Sequence, residues 1–329
     1  MTDHRFIDIT DEGVYLHAES ERLCLERRMS GDTKPAPVKI PFADLDAVVF
    51  ANDRITVSAP ALAGLAKSGC GVVVCDDKHL PVGMFLPLTG NVTQAERFRA
   101  QAAAPLPLRK RLWQKIVKAK IHNQGALLRD LTGNDAGLSA MSAKVKSGDP
   151  ENYEAQAAAR YWKHIFAPRA APFIRQREND DENALLNYGY AVLRAVTARA
   201  IAGSGLHPGL GIYHHNRYDT YCLADDLMEP FRPLVDGIVA LHCRDLAANE
   251  KPRLNAKFKN TLIFEMSSAL QVGRERRTLF DLLARLTGSL AKILLGENEE
   301  LYLPYLRAPL FADSMNIDVE DNDAEREPE

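Results

Sequence analysis

The stretch Pro87-Leu88-Thr89-Gly90-Asn91-Val92-Thr93-Gln94-Ala95-Glu96 divides the chain into two kinds of sequence. Thr93 with Glu96 three residues later is the pattern of a capping box, in which each side chain satisfies a backbone amide at a helix start. Upstream, short runs rich in β-branched and aromatic residues predict strands at Arg5–Thr10, Val14–His17, Leu23–Leu25, Val38–Phe42, Ala47–Phe50 and Ile55–Val57. Their breaks carry Gly13, Gly31-Asp32 and Asn52-Asp53. One short helix interrupts them, with Ser58 as cap, Pro60 in its first turn and Gly69 at its end. Gly71–Cys75 and Val82–Leu86 read as two more strands.

Downstream the apolar period changes from two to about 3.6. Pro105 and Pro107 interrupt the first segment, and Leu108, Leu112, Ile116 and Ala119 mark a long helix to about Leu131. Asp149-Pro150 reads as a helix start, with Asp149 as cap, and that helix runs through Glu154, Tyr161 and Trp162. Further helices are expected near 183–202, 260–271 and 277–293, with a turn-rich stretch at 203–211. The expected fold class is α+β: a small β-rich N-terminal domain over 1–90 and a larger all-helical domain over 91–317.

The 329 residues are 46% hydrophobic and 26% charged, within the globular norm. No apolar run approaches the roughly 18–20 residues of a membrane span. The start, Met1-Thr2-Asp3-His4-Arg5, carries no signal-peptide pattern, so a cytoplasmic protein is expected. Five cysteines with no CxxC pair read as reduced, buried small hydrophobes. The net charge of −3 hides an uneven distribution. Residues 318–329 hold seven acids and one arginine, an acidic tail expected to be disordered, and leave +3 on residues 1–317.

Two features carry chemistry. Asp226 and Glu229 lie three residues apart, on one face of a helix. Two such carboxylates with an imidazole from His214 or His215 suit Mg²⁺ or Mn²⁺ better than zinc, which draws on cysteine. On spacing alone, Asp226-x-x-Glu229 reads more readily as a second capping box than as a metal site, and Glu154 as a helix-start acid. The second feature is a run of seven Lys/Arg residues without an acid: Arg109, Lys110, Arg111, Lys115, Lys118, Lys120 and Arg129. With Lys251, Arg253, Lys257 and Lys259, and with Arg274, Arg276 and Arg277, it points to a polyanionic partner. Glycine loops that cradle phosphates are absent.

Four strings occur together and in order: Glu154-Ala155-Gln156-Ala157-Ala158-Ala159-Arg160-Tyr161-Trp162, Asn187-Tyr188-Gly189-Tyr190-Ala191-Val192-Leu193, Gly211-Ile212-Tyr213-His214, and Asp226-Leu227-Met228-Glu229-Pro230-Phe231-Arg232-Pro233. In this the chain resembles the CRISPR-associated integrase, CRISPR-associated protein one, from the first strand to about residue 300. The His-His-Asn wording resembles the version found in type II systems. The resemblance implies an endonuclease and integrase that inserts short DNA fragments into the CRISPR repeat array by 3′-hydroxyl attack on a phosphodiester. It implies metal ligands at Glu154, His214 and Glu229, a supporting carboxylate at Asp226 and a basic residue at Arg217. His215 remains a rival to His214, and Asp225 to Asp226.

The resemblance further implies Mg²⁺ or Mn²⁺ as cofactor, double-stranded fragments and repeat DNA as substrates, and homodimerisation through the N-terminal domain. A small companion, CRISPR-associated protein two, and the type II effector nuclease are the implied protein partners. Two other readings use the same residues: a stand-alone metal-dependent nuclease on branched or single-stranded DNA, and a non-catalytic DNA-binding scaffold whose carboxylates only cap helices.

Overall fold

Strands form where the β-branched runs stand, and helices where the 3.6 period does. The computed structural model describes residues 5–9, 13–27, 36–50, 52, 54–75, 81–85, 87, 93–166, 173–176, 181–246, 250–272, 275–297 and 300–306. The boundary at 88–92, the acidic tail, Thr10 and Arg274 lie outside them.

The N-terminal part builds two sheets. One has β2 (Val14–Glu19), β3 (Arg22–Arg27) and β4 (Val38–Pro41) in antiparallel order, with β6 (Thr56–Val57) parallel to β2 on the other edge. The other runs β1 (Arg5–Ile9), β5 (Leu45–Phe50), β7 (Gly71–Cys75), β8 (Pro81–Phe85), parallel except for the last pair. Helix α1 (Ala59–Lys67) follows β6, and the Ser58 hydroxyl accepts from the Ala61 amide at 3.3 Å, as its cap position predicts.

Side chains alternate across a strand, so a strand apolar at every position is buried on both faces. In the second sheet, Val48 and Val72 enter a small core with Leu16, Leu23, Phe42 and Leu65. Their neighbours Val49, Val73 and Cys75 enter the large core of the helical part. This sheet therefore joins the two halves: β1 packs on α9 (Ala256–Ser267) and β7 on α6 (Glu182–Gly203).

The helical part comprises α2 (Gln94–Ala102), α3 (Leu106–Thr132), α4 (Leu138–Lys144), α5 (Tyr153–Trp162), α6, α7 (Cys222–Met228), a 3₁₀ turn at Glu229–Phe231, α8 (Arg232–Asp245), α9 and α10 (Leu279–Leu294). Several local readings need correction. Thr93 makes no side-chain cap. Helix α3 begins at Leu106 rather than Leu108, with Pro107 in its first turn, where a missing amide costs nothing. Helix α5 starts at Tyr153 with Asn152 as cap, while Asp149 reaches forward to accept from the Tyr153 and Glu154 amides, both at 2.9 Å. The helical part is not purely helical, because Leu270–Val272 (β9) and Glu275–Arg277 (β10) form a hairpin. Helix α10 consequently begins at Leu279, capped by Thr278.

The α+β class stands. All five cysteines are buried and none is in a disulfide. No helix among the described residues is long and apolar enough to cross a membrane. Close approach of α6 to α8 needs Gly189, where a Cβ would come within 2.4 Å of Val235 Cγ1.

Candidate metal centre and nucleic-acid interface

Four elements distant in sequence meet on one side of α3. The first turn of α5 brings Glu154, the 3₁₀ turn brings Glu229, the loop before α7 brings His214, and α3 itself brings Lys120. On α3 the residues Trp113, Ile116, Lys120, Asn123 and Leu127 follow a 3-4-3-4 spacing and therefore form one stripe, buried along its length. Lys120 was grouped above with the basic run expected to meet a polyanion. That placement is wrong: its side chain is 10% exposed, and its Nζ lies 2.6 Å from Glu154 Oε1 and 2.7 Å from Glu229 Oε2. A lysine and an asparagine inside an apolar stripe are the signal that marks them.

Glu229 is almost fully enclosed, with 4% side-chain exposure. Its Oε1 pairs with Arg232 at 3.2 Å, while Oε2 has the Lys120 ammonium at 2.7 Å. Burial alone would raise its pKa. The Arg232 and Lys120 charges outweigh burial and hold the carboxyl below its ordinary value. Burial likewise works to discharge Lys120, yet the Glu229 and Glu154 charges keep its pKa above the usual lysine value. Next to Glu229, Asn123 donates to the Pro230 carbonyl at 2.7 Å and to the Pro304 carbonyl at 3.1 Å, and accepts from the Leu306 amide at 3.0 Å. It fixes the 3₁₀ turn that aims Glu229.

The doubled histidine and doubled aspartate part company. His214 Nδ1 donates to Asp226 Oδ1 at 2.7 Å, whereas His215 Nε2 meets Arg109 at 2.9 Å in an exposed position. Asp226 is completely buried and also takes the amides of Ile212, Tyr213 and His214 at 2.5, 2.9 and 3.2 Å. It lies inside α7, not at its N-terminus, so the capping-box reading of Asp226 and Glu229 does not hold. Asp225 faces away, pairing with Arg194 at 2.6 Å, and burial pushes its carboxyl up to about 6. The hydrogen bond from Asp226 raises the His214 imidazole against the opposing effect of burial, with Glu229 and Glu154 adding to the rise. Trp113 packs edge-on against His214 at 5.6 Å and stacks flat on Tyr213 at 4.2 Å.

Two carboxylates and an imidazole are a donor set suited to Mg²⁺ or Mn²⁺. The Asp226 bond to Nδ1 leaves Nε2 as the coordinating nitrogen, a carboxylate–histidine arrangement common at metal sites. Glu229 Oε2, buried with a lysine ammonium 2.7 Å away, is an oxygen that demands a positive charge beside it. The chemistry fits a metal. Among the described residues no three His, Cys, Asp or Glu side chains close around one ion as they stand, and the Lys120 ammonium contacts both Glu154 and Glu229.

The basic surface is reduced by such pairings. Lys110 and Arg111 are exposed, and Lys118 is half-buried. Arg109 is turned to the Ile212 carbonyl at 2.9 Å, where it braces the histidine loop, and Lys115 pairs with Glu300 at 3.1 Å. Arg217 is exposed over the Tyr218 ring at 4.5 Å, on the same loop as His214. Lys251, Arg253 and Lys257 line a cavity of about 1250 Å³ between α8 and α9. Lys259 leaves that patch: it is 2% exposed, with its ammonium over the Tyr188 ring. Of the third patch, Arg276 is exposed, while Arg277 pairs with Glu275 and Asp281.

An α+β chain thus carries a buried cluster of acids and a histidine bordered by basic surface. The sequence model for CRISPR associated protein Cas1 matches residues 7–252, and the chain belongs to that family. It is 37% identical over 234 residues to the CRISPR-associated endonuclease Cas1 of Neisseria meningitidis serogroup C (strain 8013), covering 69% of this chain and 75% of that one. Its fold is similar to that of a casposase bound to integration product (TM-score 0.73, 21% identity, 91% of this chain and 93% of that one). It is also similar to a chain of a Cas6-RT-Cas1–Cas2 complex (TM-score 0.69, 19% identity, 92% of this chain and 36% of that one).

Proposed function

We propose that this Cas1 protein is a metal-dependent DNA endonuclease and integrase that inserts short DNA fragments into the CRISPR array. The observation that carries the reading is the convergence of Glu154 and Glu229, from two separate elements, on the same Lys120 ammonium. Acids held this close, beside a histidine fixed by a buried aspartate, serve a cation rather than a helix cap. The chain's kinship with a curated CRISPR-associated endonuclease supports the same reading.

Glu154, Glu229 and His214 Nε2 are the proposed ligands. A divalent ion held there would polarise the attacking 3′-hydroxyl and offset charge on the phosphate. Asp226 fixes the His214 ring and its tautomer. Arg232 neutralises the Glu229 oxygen turned away from the site. Lys110, Arg111, Lys115 and Lys118, on the outer side of α3, track the DNA backbone, and Arg217 on the histidine loop reaches a phosphate oxygen near the reacting bond. Arg109 contributes by holding that loop. Proposed partners are double-stranded fragments, repeat DNA, Cas2 and a second copy joined through residues 1–90, with the type II effector nuclease assisting fragment choice. Kinship in fold with a chain of a Cas1–Cas2 assembly supports the Cas2 part.

The test is product analysis with labelled fragment and repeat DNA. Joined strands that disappear in Glu229→Gln support the integrase. Hydrolysed ends alone support a free-standing nuclease, and neither product would leave a DNA-binding scaffold.

A further inference from the structure

The cation-binding oxygens of this site already have a cation. Arg232 occupies Glu229 Oε1, so Oε2 is the only oxygen of that carboxylate left for another positive charge. Lys120 Nζ lies 2.7 Å from it, and the same ammonium lies 2.6 Å from Glu154 Oε1. A divalent ion binds carboxylate oxygens at about 2.0–2.2 Å. Ion and ammonium therefore need the same small space between the two acids, where two positive charges repel each other strongly.

The surroundings explain why the ammonium is there. Glu229 is 4% and Lys120 10% exposed at the side chain, so an unpaired charge on either is costly. Lys120 belongs to the rigid middle of a 27-residue helix, between Ile116 and Asn123 of the buried stripe. It holds both carboxylates aimed at one point. We infer that Lys120 is a resident counter-ion that pre-positions Glu154 and Glu229 and is displaced from them when the divalent ion binds. This rests on the metal reading of the site given above. Lys120 is thus a positioning residue that sets the affinity for metal, and not a further ligand.

Mn²⁺ titration of the full chain by calorimetry tests it, comparing wild type with Lys120→Met and Lys120→Arg. Removal of the competing charge should tighten Mn²⁺ binding about tenfold, within the usual range of coupling between mutually exclusive ligands. Lys120→Met should also melt at lower temperature without metal and gain more from its addition, while Lys120→Arg should bind Mn²⁺ as weakly as wild type. Equal or weaker Mn²⁺ binding by Lys120→Met, with wild type binding normally, overturns the counter-ion inference alone. No Mn²⁺ binding by either overturns the metal reading and this inference with it. Wild-type protein supplies an arm independent of variant folding: reductive methylation read by mass spectrometry. Lys120 should be protected without metal and labelled in saturating Mg²⁺, and equal labelling in both states refutes displacement.

Discussion

Asp226 Oδ1 lies 2.7 Å from His214 Nδ1, and the same carboxylate gathers the three consecutive backbone amides of Ile212, Tyr213 and His214. One buried side chain on α7 thus fixes both the loop and the ring that the loop carries. Its charge is well spent, since four donors converge on it where water does not reach.

Asp226→Asn replaces one acceptor oxygen by an amide that donates, so at least one of those donors loses its partner. The expected cost is about 2–3 kcal/mol of folding stability in denaturant melts, with strand joining falling further because the ring is no longer held. Asp225→Asn is the contrasting variant. Its carboxyl faces Arg194, away from the site, so joining should stay near the wild-type level.

Glu154→Gln, His214→Ala and Glu229→Gln should each lower joining and cleavage by about 100-fold or more, the scale of losing a positioned charge in an active site. Gel-shift affinity for DNA should change little, since the phosphate-tracking residues lie elsewhere. Chelation should stop turnover, and Mg²⁺ or Mn²⁺ should restore it. Restoration by Zn²⁺ alone would contradict the oxygen-rich donor set.

The parts of this architecture legible in the sequence are those that local pattern controls. The β-branched runs gave the strands, the 3.6 period gave α3, α6 and α10, and Ser58 capped where expected. The hairpin at Leu270–Arg277 was missed because three-residue strands carry almost no period. Asp149 was placed correctly as an amide acceptor, but its helix begins later, a shift set by the left-handed backbone of Asp149 and Asn152. In the candidate site, three of the four strings named the acids and the histidine. The pairings came only from space: Lys120 looks like surface charge in a basic run, and nothing near position 123 says that Asn123 holds the Pro230 carbonyl.

Gly211 carries no functional atom and should still be indispensable. A Cβ there would lie 2.3 Å from the His214 carbonyl oxygen, 2.9 Å from Cys222 Cβ and 3.1 Å from Asp226 Oδ2. Since the nearest obstacle is backbone, relief requires moving the histidine loop off Asp226. Gly211→Ala should therefore lose about 1–3 kcal/mol and most of its joining activity. Gly203→Ala, at the end of α6 with nothing within 4 Å of the added carbon, should be neutral or stabilising by up to about 1 kcal/mol. Thermal melts and a joining assay on the pair separate close approach from mere loss of a glycine.

The core beneath the site holds a second acid with a pH consequence. Asp236 on α8 is 1% exposed and accepts from the Tyr161 hydroxyl at 2.8 Å and from the Tyr190 hydroxyl. Burial pushes its carboxyl up to about 6, against the pull of those two hydroxyls and of Arg232. The folded protein therefore holds this proton more tightly than the unfolded chain, where the carboxyl titrates near 3.9. The stability that the protonated form contributes is complete below about 4 and is lost as pH rises through about 6. An amide cannot ionise, and its oxygen and nitrogen can serve the two tyrosines. Asp236→Asn should accordingly gain on wild type as pH rises from 4 to 7. Denaturant midpoints of both proteins across that range measure it, and a difference that stays flat would show that Asp236 does not titrate there.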